Sequence, residues 1–161
     1  MHNHEPPDYI CPFCRVVRDF ARSSVQEDRA DVIFQDDRVT AFLGLGRWPR
    51  NPVDVLVAPN DHHEHLYDLP LDYALPLHRL TRAVSLALKA VYACDGVSTR
   101  QHNEPEGGQD VWHYHVHVTP RFKDDGFYQS PQERTPEPER LEAARQLREF
   151  FAAHPHHLFG Q

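Results

Sequence analysis

The chain has 161 residues with 40% hydrophobic content, enough for one domain with a real core and against disorder of the whole. A formal net charge of −7, from 17 basic and 24 acidic residues, argues against binding a nucleic-acid polymer through a basic surface, while leaving room for a small phosphorylated ligand in one pocket. No apolar run approaches the ~20 residues needed to cross a bilayer, and residues 1–7 carry no apolar signal core, so no membrane association and a cytoplasmic location are expected.

Residues 1–10 read as a flexible N-terminal tail. A short helix is predicted from Phe13 to Ala21, ending at Arg22-Ser23-Ser24. Ala30–Gln35 and Val39–Leu43 then form a hairpin across Asp36-Asp37. Gly44–Pro52 is a loop, and Val53–Ala58 is a third strand. Leu77, Leu80, Val84, Leu88 and Val91 recur at spacings of three and four, the stripe of an amphipathic helix over Leu75–Ala93. Val97–His102 is a fourth strand, Glu104–Gly108 a tight loop, and Trp112–Arg121 a fifth strand. Residues 123–137 are polar and rich in proline and read as a loop. A last helix, Pro138–Ala153, has Leu141, Ala144, Leu147 and Phe151 on one side, before a His-rich end at 154–157. The early strands are joined too tightly for parallel crossovers, so the fold class is α+β on a five-stranded antiparallel sheet, with a long amphipathic helix and a C-terminal helix. Residues 11–122 form the main domain, and 123–161 a loop, the C-terminal helix and the His-rich tail.

The segment Trp112-His113-Tyr114-His115-Val116-His117-Val118 alternates histidine with large apolar or β-branched residues. On a strand His113, His115 and His117 share one face, ~6.6 Å apart in steps of two, and Trp112, Tyr114, Val116 and Val118 share the other. Neutral imidazole attacks phosphorus, and protonated imidazole binds phosphate oxygens. Gly107-Gly108 can bring backbone N–H groups to an anion, and Asn103 and Gln109 offer amide donors. A ladder of histidines on an exposed sheet face is the plainer alternative.

Asn103 through Arg121 resembles the signature of the histidine triad family, His-φ-His-φ-His-φ-φ preceded by Gly-Gln and an upstream Asn. Cys11-Pro12-Phe13-Cys14, Asp36–Leu43, Asn51–His62 and Leu66–Leu69 resemble other parts of the family pattern, so the similarity spans about residues 11–122. The resemblance implies a nucleotidyl hydrolase or transferase acting on purine nucleoside phosphoramidates or dinucleoside polyphosphates. His115 would attack the α-phosphorus and form a covalent nucleotidyl-histidine. His117 would hold the phosphate oxygens, with Asn103, Gly108 and Gln109 helping to place the phosphate. It also implies a homodimer and chemistry that needs no metal.

Three cysteines do not make a disulfide scaffold, and Cys11 and Cys14 have the spacing of half a metal site. In zinc-bearing bacterial members of the family such a pair joins two histidines. By that resemblance Cys11, Cys14, His62 and His113 would hold a structural Zn2+, with His63 and His65 as alternatives to His62. His2 and His4 read as part of a solvated tail.

The chain departs from the family pattern at three places. Gly44 stands where many members carry an Asp that binds ribose hydroxyls, Val53-Asp54 stands for Gly-His, and Asp110 stands for a Ser or Thr. Two competing readings follow: a nucleotide-binding regulatory module with lost or weak catalysis, and a zinc protein whose histidines serve mainly as ligands.

Overall fold

The computed structural model describes residues 3–22 and 31–159. Helix α1 spans Pro12–Arg22. Strands β1 (Val32–Gln35) and β2 (Val39–Leu43) form the first hairpin, β3 is Gly46–Arg47 and β4 is Val55–Pro59. Helix α2 (Ala74–Tyr92) follows a single 3-10 turn at Leu71–Tyr73. Then come β5 (Gly96–Gln101), a 3-10 turn at Pro105–Gly107, β6 (Val116–Arg121), β7 (Glu133–Arg134), α3 (Glu137–Ala153) and α4 (His156–Phe159).

Five strands make one antiparallel sheet in the order β1-β2-β4-β6-β5. The first hairpin turns where Asp36 Oδ1 accepts the backbone N–H groups of Arg38 and Val39, at 2.8 and 2.7 Å, a side chain closing the turn its own backbone begins. Helix α2 buries Leu77, Leu80, Ala83, Val84, Ala87 and Leu88 against one sheet face, and α3 adds Ala143, Ala144, Leu147 and Phe151 to the same core. Tyr114 and Val118 reach into that core from the sheet side. The opposite face carries a smaller cluster of Cys11, Phe13, Val32, Phe42, Leu56 and Ala58, with α1 covering one end. The sheet therefore has one face sealed by helices and one partly open.

The predicted five strands and two long helices are all present. The histidine strand, however, starts later than expected: β6 begins at Val116, and His113 and Tyr114 lie in an irregular lead-in. There the N–H of His113 bonds back to the Val111 carbonyl, and the N–H of Tyr114 donates to His63 O at 2.6 Å, so the loop after β4 takes the place of a ladder partner. Trp112 does not join the core face: it stacks on His4, ring centroids 5.7 Å apart. The expected loops 44–52 and 123–137 each supply one strand of a two-residue ribbon, Gly46 pairing with Arg134 and Arg47 with Glu133. Two-residue strands carry no periodicity for a sequence to display. On α3 the buried side includes Arg140, whose Nε donates to Asp31 at 2.6 Å, while Leu141 is only half buried. The expected end of the first helix at Ser23-Ser24 and the strand start at Ala30 lie outside the described residues.

Candidate active site and metal centre

Cross-strand register puts the chemistry on the open face. Leu56 lies opposite His117, Arg100 opposite His117 on the other side, and Ser98 opposite Thr119. Alternation along β4 and β6 then places Asp54, His115, His117 and Thr119 on this same face.

His115 is 3% exposed and sits between two rings, Phe13 at 5.0 Å and His117 at 4.8 Å. Its Nδ1 donates to the carbonyl of His113 at 2.7 Å. That contact fixes the tautomer and leaves the lone pair on Nε2. Burial, then the neighbouring His117, pulls its pKa down to about 4, so the ring is neutral near pH 7. A neutral imidazole with one committed and one free nitrogen is what nucleophilic attack requires.

His117 is more open, with 18% of its side chain exposed. Its Nδ1 lies 2.7 Å from Asp54 Oδ2, and the Thr119 hydroxyl donates to Asp54 Oδ1 at 2.6 Å. Asp54 is 2% exposed. Position 44 lies directly against it: the Gly44 N–H donates to Asp54 O at 2.8 Å, and a Cβ at 44 would stand 3.2 Å from that oxygen and 3.8 Å from the Asp54 carboxylate. The two departures at 44 and 54 thus occupy one spot. Asp54 was visible in the sequence only as a departure; the signal for its role was an acid at an alternate position of an otherwise apolar strand.

The residues expected to place phosphate divide. Gln109 is buried, and both ends of its amide are engaged within the protein: Nε2 donates to the carbonyls of Glu64 (2.8 Å) and Val111 (3.1 Å), and Oε1 accepts the Glu104 N–H at 2.8 Å. The N–H groups of Gly107 and Gly108 close the 3-10 turn onto Glu104 and Pro105 instead of facing an anion. Gly108 has φ +86°, and its carbonyl accepts His102 Nδ1–H at 2.9 Å. Asn103 Oδ1 accepts the Leu66 N–H at 2.8 Å. The Gly107, Gly108 and Gln109 donors are thus engaged within the protein, while Asn103 Nδ2 donates one hydrogen to Gln101 Oε1 at 2.9 Å and has a second to offer. Asp110 is exposed to solvent.

The four expected metal ligands do converge. Sγ of Cys11 and Nδ1 of His113 are 3.3 Å apart, Cys14 Sγ and His62 Nδ1 3.3 Å, and Cys14 Sγ and His113 Nδ1 3.6 Å. All four ligand atoms lie within 4.8 Å of one another. The outward nitrogens have partners as well: His113 Nε2 donates to Pro59 O at 3.0 Å, and His62 Nε2 meets the Glu5 carboxylate at 3.0 Å. Such outer contacts hold metal-binding imidazoles in register. Burial and the adjacent Cys11 push the Cys14 thiol up, so this thiol calls for a nearby cation before it ionises. His63 and His65 are not in this cluster.

A family model described as the HIT domain matches residues 25–124. The chain belongs to the HIT-domain family. Among HIT relatives, a HIT-like protein of Borreliella burgdorferi is 32% identical over 74% of this chain and 81% of its own length. The purine nucleoside phosphoramidase of Escherichia coli is 31% identical over 62% of this chain and 82% of its own. A zinc-bound histidine triad protein from Mycobacterium smegmatis superposes with a TM-score of 0.70 at 25% identity, covering 89% of this chain and 94% of that one.

Proposed function

We propose that this HIT protein is a nucleotidyl hydrolase or transferase that cleaves at the α-phosphate of a nucleoside phosphoramidate or dinucleoside polyphosphate, through a nucleotide bound covalently to His115. The observation that carries the reading is the His115 Nδ1–H bond to the His113 carbonyl, which leaves Nε2 as a bare lone pair. That pair attacks the α-phosphorus, a P–N bond to His115 forms, and the bond to the leaving amine or phosphate breaks. Water then attacks the same phosphorus and releases the nucleoside monophosphate, returning the electron pair to Nε2. With its Nδ1 committed to Asp54, His117 meets the phosphate or the leaving group through Nε2. Splitting the displacement in two is the gain of covalent catalysis. The similarity to a purine nucleoside phosphoramidase supports a purine nucleotide as substrate.

A structural Zn2+ on Cys11, Cys14, His62 and His113 belongs to the same reading. Four protein ligands leave no open position, so the ion would supply geometry only. It would hold His113, whose carbonyl orients His115. A cytoplasmic location suits these thiols, which stay reduced there. The homodimer implied by the family resemblance has a face available in the apolar groove of about 380 Å3 along Leu66, Leu69, Leu71, Leu77 and Val116.

The test is turnover of adenosine and guanosine phosphoramidates and diadenosine polyphosphates by the wild type and His115→Ala, with acid quench and intact mass to catch a nucleotide adduct. Turnover with an adduct in the wild type, and neither in the variant, supports the enzyme. Binding without turnover across the panel favours the regulatory module, for which Gly44, with no carboxylate for ribose, is the supporting feature.

A further inference from the structure

We propose that His4, Glu64 and His65 form a second metal site, for a divalent cation of the zinc class, between the N-terminal segment and the loop after β4. It shares no residue with the Cys11 cluster and takes no part in the reaction proposed above.

The loop turns Glu64 and His65 inward, where they are 7% and 1% exposed. His65 Nδ1 lies 3.2 Å from an Asp68 carboxylate oxygen, so the ring's hydrogen sits on that nitrogen. Its Nε2 is then a lone pair. Among the described residues it is buried without a hydrogen-bond partner, and it stands 3.4 Å from Glu64 Oε1. Two electron-rich atoms facing each other away from water are unfavourable unless a cation lies between them. The third member is His4 Nδ1, also buried without a hydrogen-bond partner among the described residues and 3.8 Å from the same Glu64 oxygen. All three ligand atoms lie within 4.8 Å of one another.

His4 is held in place for this. Its backbone N–H donates to Glu64 Oε1 at 2.7 Å, its ring stacks on Trp112, and its edge meets His65 at a centroid distance of 5.6 Å. Ligands on a tetrahedral zinc at about 2.0–2.1 Å are about 3.4 Å apart, close to the 3.4 and 3.8 Å separations here, so side-chain adjustment alone would seat an ion. Two imidazoles and a carboxylate suit Zn2+ and its first-row neighbours, and Asp68 on the far nitrogen of His65 is the usual outer partner. Three protein ligands leave a position for water. The Glu64 carbonyl accepts the Gln109 amide and the Leu66 N–H donates to Asn103, so the ion would clamp the N-terminal segment to a loop that both residues brace.

The test is titration of the metal-stripped protein with Co2+. Thiolate ligands give an intense near-ultraviolet charge-transfer band, and a nitrogen and oxygen site gives only weak visible absorption. Two equivalents are expected, one with the thiolate band and one without. His4→Ala, in a half-exposed segment, should weaken the second equivalent about tenfold or more and leave the thiolate band unchanged. Asp68→Asn should weaken it less. Cys11→Ser with Cys14→Ser should abolish the thiolate band and keep the second equivalent. A wild-type protein with no thiolate-free equivalent overturns the proposal, leaving a proton shared by His65 and Glu64 as the occupant. So does a second equivalent unmoved by both His4→Ala and Glu64→Gln.

Discussion

His117 Nδ1 and Asp54 Oδ2 lie 2.7 Å apart, and the other oxygen of that buried carboxylate takes the Thr119 hydroxyl. A carboxylate accepts the imidazole N–H whichever charge the ring carries, so Asp54 fixes the orientation of His117 through the reaction. In Asp54→Asn the Thr119 hydroxyl can reverse and accept from the new amide, which keeps the geometry and removes the charge. We expect kcat to fall about tenfold with KM little changed. In Asp54→Ala the His117 N–H loses its acceptor, and stability falls by about 1–3 kcal/mol. Steady-state kinetics and urea unfolding of the two variants check this; identical kinetics in Asp54→Asn would remove the charge from the account.

Gly44 and Asp54 should be coupled. Gly44→Asp attaches a second carboxylate to a Cβ 3.8 Å from the buried Asp54 Oδ2, and two carboxylates so close cannot both ionise at low cost. The single variant should lose about 1–3 kcal/mol, while Gly44→Asp with Asp54→His should lose clearly less. A double-mutant cycle in urea should return an interaction energy of about 1 kcal/mol or more. An interaction near zero would mean the two departures are independent.

Cys11→Ser should remove one equivalent of bound zinc and lower Tm by about 5–10 °C, the loss of a few kcal/mol in a chain of this size. Part of the turnover should persist, because the His113 carbonyl still reaches His115. Elemental analysis with calorimetry measures both. Full loss of turnover at unchanged Tm would place the metal in the chemistry instead.

Asp125 accepts Arg121 through Nε at 2.7 Å and Nη2 at 2.8 Å, with Asn51 and the N–H groups of Phe122 and Phe127 completing its shell. Arg121 above all holds its pKa well below the carboxylate range. Near pH 4 and below, the unfolded chain therefore binds a proton that the folded chain refuses. The stability Asp125 contributes is complete above about pH 4 and declines as pH falls. Asp125→Asn should lose about 2 kcal/mol at pH 7 and show a shallower decline below pH 4. Urea midpoints at a series of pH values test this; parallel curves would contradict it.

The sequence by itself set the sheet strands and both long helices, because period-2 and period-3.6 patterns are local. Spacing marked Cys11 and Cys14 as half a metal site; His62 and His113 followed from the family resemblance, and the fold brings all four together. The histidine alternation put His115 and His117 on one face, though the strand itself begins only at Val116. Other features depended on neighbours far apart in the chain. Gln109 reads as a phosphate donor until Glu64 O and Val111 O occupy its amide. His4 reads as tail until it meets Trp112 and Glu64. Asp54 reads as an anomaly until β6 brings His117 and Thr119 against it. Whether a polar group is free, braced or poised depends on which partner arrives by burial, and only the tertiary fold decides that.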